Sequence, residues 1–153
     1  MNRTPLLATL LGLAGLLPLL FCGFESLTRA ADWALPALIG YGAVTLAFLG
    51  AVHWGFALAP ATTPSPPQAE RLRLTLGTLP ALAGWAALLL PRWAGLLVLI
   101  AGFIACVVIE AAGHRRALVP SGYMWLRWAH TIIVVAILTT VLVLRLIGAT
   151  IVL

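Results

Sequence analysis

Long apolar segments separated by short polar connections restrict what this chain can fold into. Crossing a bilayer takes about 20 mostly apolar residues per helix. Segments of about that length or longer cover residues 5–24, 33–59, 73–90, 93–113 and 123–151. A helix is the only suitable structure for each, because backbone groups in lipid must be hydrogen-bonded within their own segment. The sequence therefore predicts an all-α fold: a polytopic membrane helix bundle with five transmembrane helices in one domain, residues 1–153.

The composition agrees with a membrane location and excludes a soluble domain. Hydrophobic residues make up 63% of the chain, charged residues only 8%, and the mean hydropathy is +1.11. A soluble domain is about 25% charged, so this chain lacks the residues to cover a surface in water. The nine basic residues are all arginines scattered near segment ends, with no basic run that contains aromatic residues. The expected partner is therefore the lipid bilayer and not nucleic acid.

The arginines also predict an orientation. Five spans place the two termini on opposite sides of the membrane, and the arginines are then divided unequally between the sides. The N-terminal side has Arg3, Arg71, Arg73, Arg115, Arg116 and Arg127, and the opposite side has Arg29, Arg92 and Arg145. Because cytoplasmic loops are enriched in basic residues, we expect the N-terminus in the cytoplasm and the C-terminus outside. A bacterial inner membrane is expected, with a mitochondrial membrane left open.

Prolines mark where the predicted helices should bend or end. Pro18, Pro36 and Pro80 lie within apolar segments, and Pro80 is near the middle of its segment. Proline lacks a backbone N–H and clashes with the preceding turn, so each is expected to kink or end a helix. The segment from Pro60 to Glu70 carries four prolines and is predicted to be a stiff, extended linker.

Small residues recur at every fourth position of the second segment. They are Ala43, Ala47, Ala51 and Gly55. Small side chains at this spacing allow two helix backbones to approach closely in lipid. We therefore predict a helix-packing seam at these four residues.

Polar residues that are costly in lipid gather near one end of the predicted bundle. His53 closes the second segment, Glu110 lies near the end of the fourth, and Arg127 opens the fifth. Ionisable residues inside a membrane are functional candidates by default, so we predict a ligand-binding cluster of His53, Trp54, Glu110, Tyr123 and Arg127. Simpler interpretations remain open. Arg127 and Trp54 suit interfacial anchors, Glu110 an architectural ion pair, and His53 a hydrogen bond to a carbonyl group.

Several motifs resemble one family. The segment from Tyr41 that ends in His53-Trp54-Gly55, the Leu79-Pro80 pair with Trp85, and the group Pro120, Tyr123, Leu126 and Arg127 resemble the transmembrane-protein-69-like family. That family carries a domain of unknown function and occurs in bacterial inner membranes and mitochondria. The resemblance covers most of the chain, implies five spans and supplies no activity. Gly122 and His130 depart from the family's pattern, which has an aromatic and an apolar residue there.

No motif points to a catalytic or metal site. The sequence has no Ser-His-Asp pattern, CxxC, HExxH or Walker loop, and only four acidic residues. We therefore expect a non-catalytic subunit or assembly factor that packs through the seam into a larger membrane complex or a homo-oligomer. The alternative is lipid or quinone binding at the cluster, with haem held between His53 and His130 as a narrower variant. No cofactor is assigned. A transporter is less favoured because five spans admit no even inverted repeat, and a lipid-modifying enzyme is also less favoured.

Overall fold

The computed structural model of the chain describes residues 6–28, 32–58, 67–114 and 121–148. The helices in these ranges are α1 (Leu6–Ala14), α2 (Leu17–Glu25), α3 (Ala34–Leu58), α4 (Pro67–Leu89), α5 (Arg92–His114) and α6 (Ser121–Leu146). The described part of the chain is therefore helical, which confirms the all-α class.

Three helices contain stretches that are long and apolar enough to cross a membrane. These stretches are Ala34–Gly55, Arg92–Ala112 and Met124–Leu146. The apolar helices Thr9–Glu25 and Arg73–Leu89 are shorter. Of the five spans that the sequence predicted, three are therefore full-length candidates among the described residues, and two correspond to shorter apolar helices.

The first predicted helix is divided into α1 and α2 near Gly15. Pro18 stands near the start of α2 and has no N–H to continue the helical ladder. The N–H of Leu16 bonds to the carbonyl of Leu13 at 3.0 Å, one residue short of its α-helical partner Gly12. The break expected at Pro18 is confirmed, but a single continuous helix over 5–24 does not form.

The third and fifth segments have boundaries that differ from those predicted. Helix α4 begins at Pro67, so the end of the predicted linker is helical, and its first turns carry polar residues that shorten its apolar part. It continues through Pro80. Helix α6 ends at Leu146 and not at 151, because Gly148 adopts a left-handed φ of 71°, a conformation that commonly ends helices.

Close backbone contacts show that α3 and α4 are antiparallel neighbours. A Cβ on Gly84 would lie 2.8 Å from the carbonyl oxygen of Ala43, and a Cβ on Gly50 would lie 2.9 Å from that of Gly77. Position 50, later in α3 than position 43, meets the earlier position of α4, so the two helices run in opposite directions. A Cβ on Gly50 would also lie 2.9 Å from the Pro80 ring, so glycine leaves the space that this proline occupies.

The predicted seam is only partly the one used. Ala43 is buried against Gly84, whereas Ala51 and Gly55 are exposed, and a Cβ on Gly55 would meet nothing within 4 Å. A four-residue step turns an α-helix by about 400°, so residues at this spacing drift about 40° per step around the helix. Ala47, between these residues in sequence, is accordingly half-buried. The residues of α3 that meet α4 closely therefore include Gly50, which the predicted seam left out.

Helix α5 runs parallel to α3 and antiparallel to α4 and α6. Gly42 and Leu46 of α3 meet Leu99 and Gly102 of α5 in the same order. Near the opposite ends of these helices, α2 and α6 are joined by Arg145, whose Nε donates to the Ser26 carbonyl at 3.0 Å. This alternation of directions brings the end of α3, the end of α5 and the start of α6 together at one end of the bundle.

Candidate functional site

A buried cluster of charged and polar side chains joins three helices at this end of the bundle. Glu110 of α5 lies between the other two residues: its Oε2 accepts a hydrogen bond from Nε of Arg127 at 2.5 Å, and its Oε1 lies 3.2 Å from Nε2 of His53. Arg127 comes from α6 and His53 from α3. The structure thus brings together the three central residues of the predicted cluster, and we call them the Arg–Glu–His cluster.

Both charged members of this cluster are almost completely removed from solvent. Arg127 is 2% exposed and Glu110 is 1% exposed, and His53 is also buried. The interpretation of Arg127 as an interfacial anchor that reaches out toward the headgroups is therefore wrong. Transferring each ion out of water costs several kcal/mol, so the attraction between the paired charges is needed to offset that cost.

The guanidinium group of Arg127 keeps hydrogen-bonding capacity that the described residues do not use. Its Nη1 and Nη2 are buried and have no hydrogen-bond partner among the described residues. Each terminal nitrogen carries two N–H donors, and a guanidinium presents these donors in a fixed planar fork. Such a fork matches two oxygen acceptors on a single group, and leaving it unfilled in a buried place is unfavourable.

Trp54 lies outside the cluster. Its side chain is exposed, and its indole Nε1 donates to the carbonyl of Leu74 in α4 at 3.1 Å. Its ring contacts the backbone of α4 at Gly77, where a Cβ would overlap the indole. Trp54 therefore fixes α3 against α4. The side chain of Tyr123, the fifth predicted member, lies outside the described residues.

Two nearby residues were missed by the sequence reasoning. Cys106, one turn before Glu110 on α5, is close enough to Glu110 and Arg127 to feel both charges. Thr131, one turn after Arg127 on α6, has a buried hydroxyl with no partner in the described part of the chain. The sequence could have indicated both. Cys106 is four residues from Glu110 and Thr131 is four residues from Arg127, and residues four apart share a helix face.

His53 also lines a small cavity of about 150 Å³ between α3, α4 and α5. Its other lining residues include Pro80, Gly102 and Cys106. His130, by contrast, lines a larger cleft elsewhere. The two histidines proposed as haem ligands therefore face different cavities, and Nε2 of His53 is already occupied by Glu110.

The chemistry available to the Arg–Glu–His cluster is the binding of oxygen acceptors. No group of three or more potential metal ligands forms among the described residues. The neutralised Arg–Glu pair holds the guanidinium in a fixed direction, and its remaining donors suit a phosphate, a carboxylate or a carbonyl group.

Comparison with known proteins identifies the family. A family model described as "Protein of unknown function (DUF3429)" matches residues 4–143. Transmembrane protein 69 of Xenopus tropicalis is 36% identical over 157 residues, covering 97% of this chain and 55% of the relative. The chain thus spans about half the length of this curated relative. No solved structure matches the chain.

The chain belongs to the DUF3429 family. The resemblance predicted from His53-Trp54-Gly55 and the accompanying motifs is confirmed. The name of the relative and the long apolar helices of this chain agree on an integral membrane protein.

Proposed function

We propose that this protein binds an anionic lipid headgroup through Arg127, with Glu110 and His53 holding the guanidinium in position. The observation that carries the proposal is the buried pair of guanidinium nitrogens, Nη1 and Nη2, that have no partner within the described residues. A headgroup phosphate presents two oxygens at the spacing of this fork, and Arg–phosphate pairs of this kind are frequently bidentate.

The depth of Arg127 in the membrane supports a headgroup as the ligand. The apolar stretch of α6 begins at Met124, so Arg127 lies about 4.5 Å further along the helix axis. A span that begins at Met124 puts Arg127 near the edge of the hydrocarbon layer. A headgroup phosphate would have to enter between the helices to meet the buried guanidinium nitrogens. A quinone carbonyl is the alternative oxygen acceptor for the same donors, and the experiment below separates the two.

The direct test compares thermal unfolding of the purified protein with added phosphatidylglycerol or with the zwitterionic phosphatidylcholine. We expect phosphatidylglycerol to raise the Tm of the wild-type protein and of Arg71→Gln, which removes an exposed arginine from the same end of the bundle. The Tm of Arg127→Gln should not respond. The double variant R127M/E110L removes both charges together, so it keeps the test interpretable if Arg127→Gln fails to fold.

Two outcomes contradict this proposal. One is an equal response of the wild-type protein to both lipids. The other is a rise in Tm with decylubiquinone alone that is lost in the double variant, which would assign the guanidinium to a carbonyl ligand.

The alternation of helix directions supports a topology in which successive segments cross the membrane in opposite directions. We propose that α1 and α2 together form the first crossing and that α3 to α6 form four more, giving five. The His53 end of the bundle then faces the cytoplasm, together with the N-terminus, and the C-terminus lies outside. This arrangement suits a bacterial inner membrane protein whose ligand comes from the cytoplasmic leaflet.

A second candidate function is supported by the exposed small residues of α3. Ala51 and Gly55 are exposed, and a Cβ on Gly55 would meet nothing within 4 Å, so this surface can accept a helix of a larger membrane complex or of a second copy. The protein would then act as a non-catalytic subunit or assembly factor. The double variant A51L/G55L should reduce the size of the native complex on blue-native gels, whereas Ala101→Leu on exposed α5 should leave it unchanged. An unchanged size in A51L/G55L would rule this role out.

A further inference from the structure

A cleft of about 560 Å³ lies between α1, α3 and α6, separate from the Arg–Glu–His cluster. Its walls are mostly apolar, and three polar side chains, Tyr41, Thr45 and His130, line it as well. Apolar clefts of this size with a few fixed polar groups are typical binding sites for small molecules. Leu11, Val44 and Phe48 at the cleft are strongly exposed on the outer face of the bundle, which is the lipid side.

His130 offers this cleft one unpartnered hydrogen-bonding atom, Nε2. The backbone of Gly12 lies beside the imidazole ring of His130, and Nε2 of His130 is buried with no partner among the described residues. Because Nε2 has no partner, Nδ1 is the ring nitrogen that can donate to the Gly12 carbonyl. A neutral imidazole that donates from Nδ1 carries a lone pair on Nε2, so Nε2 is an acceptor that needs a donor.

The break between α1 and α2 leaves the carbonyl group of Gly12 free to accept a hydrogen bond from a side chain. The N–H of Leu16 turns to the carbonyl of Leu13, so the carbonyl of Gly12 is left without its helical partner and can accept the proton on Nδ1. At the same break, the hydroxyl of Tyr41 donates to the carbonyl of Gly15 at 2.9 Å. The break thus fixes the direction of His130 and the position of Tyr41 beside the cleft.

We propose that this cleft binds a lipophilic quinol, one ring hydroxyl of which donates to Nε2 of His130. The aromatic rings of Tyr41 and Phe48 provide apolar walls for a planar ring, and the hydroxyl groups of Tyr41 and Thr45 offer partners to its second oxygen. The hydrocarbon tail leaves through the exposed side of the cleft into the bilayer.

The acceptor character of Nε2 separates this ligand from the other molecules present in a membrane. A lipid acyl chain fills the cleft but leaves Nε2 unpartnered, which costs about 1–3 kcal/mol for a buried polar atom. An oxidised quinone presents only carbonyl oxygens, which are acceptors like Nε2. Binding should therefore favour the reduced form of the ligand.

The test measures equilibrium binding of three probes to the wild-type protein in nanodiscs: decylubiquinol, decylubiquinone and the dimethyl ether of decylubiquinol. We expect decylubiquinol to bind about tenfold more tightly than either of the others, which corresponds to about 1.4 kcal/mol. This comparison needs no substitution, so it is independent of how any variant folds.

Two variants then locate the site. His130→Leu should remove the preference among the three probes, and Thr45→Phe should fill the cleft and abolish binding. Ile132→Leu, an exposed position on the same helix, should behave like the wild type.

Equal affinity for the three probes would overturn the proposal, and so would a bound phospholipid that none of the probes displaces. A preference for decylubiquinol that persists in His130→Leu would overturn it as well. Because R127M/E110L leaves the cleft intact, retention of quinol binding there separates this site from the lipid site at Arg127.

Discussion

Arg127 carries a positive charge in a place from which water is excluded. Its neighbours determine whether the free-energy cost of burying that charge is offset. Glu110 supplies the compensating charge through a 2.5 Å hydrogen bond, and His53 contacts the other carboxylate oxygen. Such pairs contribute little to stability compared with apolar residues of the same shape, but losing one partner alone is costly. This asymmetry is what makes the cluster testable by substitution.

We predict that Glu110→Gln lowers the free energy of unfolding by about 3–5 kcal/mol, because it leaves Arg127 buried without a counter-charge. R127M/E110L should recover most of that loss. Unfolding in a denaturing detergent titration measures both. Glu70→Gln, an exposed carboxylate at the same end of the bundle, should change stability by less than about 0.5 kcal/mol. A loss in Glu110→Gln no larger than in Glu70→Gln would show that the pair is not formed.

The sequence predicted the three residues that the structure joins, but it also included Trp54 and did not predict how the three are arranged. His53, Glu110 and Arg127 could be selected because each interrupts an apolar segment near the same end. The burial of Arg127 could not be predicted, since an arginine at a helix end suits an outward-reaching anchor equally well. Trp54 was assigned to the cluster because it follows His53 in the sequence. Adjacent residues of a helix point about 100° apart, so Trp54 faces α4 instead.

The helices pack through backbone contacts that depend on glycine. Gly50, Gly77 and Gly84 lie where α3 and α4 approach most closely, and a side chain at these positions would meet backbone, the Pro80 ring or the Trp54 indole. The sequence predicted a small-residue seam on α3 without naming its partner helix. Its strict four-residue spacing put Ala51 and Gly55 outside the contact with α4. The break at Pro18 was predictable from the chemistry of proline, whereas passage through Pro80 depends on the space left by Gly50 on a neighbouring helix.

We predict opposite effects of alanine at two glycines. In Gly84→Ala the new Cβ lies 2.8 Å from the Ala43 carbonyl oxygen, so the backbones must separate, and we expect a loss of about 1–3 kcal/mol. In Gly40→Ala nothing lies within 4 Å of the new Cβ, so the higher helix propensity of alanine should stabilise the protein by about 0.5–1 kcal/mol. Detergent unfolding of both variants measures this contrast. Equal effects of the two substitutions would contradict the close α3–α4 contact.

The whole molecule is a bundle whose helices alternate in direction, with the two kinds of end differing in chemistry. One end carries the Arg–Glu–His cluster, and the other carries the link from Arg145 to Ser26. The sequence predicted this sidedness from the number of spans and the distribution of arginines. It did not predict the cleft at His130, because that cleft exists only where the broken first helix meets α3 and α6.

We predict that Asp32 and Glu70 lie on opposite sides of the membrane. In a variant without Cys22 and Cys106, a cysteine at position 32 should react with a membrane-impermeant maleimide added outside intact cells. A cysteine at position 70 should react only after the cells are opened. Reaction of both positions from outside would contradict the antiparallel crossing of α3 and the cytoplasmic location of the cluster.

Native mass spectrometry of the protein, released gently from its own membrane, tests most directly whether Arg127 holds an anionic lipid. We expect a fixed extra mass, matching one acidic phospholipid, on the wild-type protein and on Arg71→Gln, and its absence from R127M/E110L. The same extra mass on all three proteins, or a bound protein subunit with no small molecule, would contradict lipid binding by Arg127.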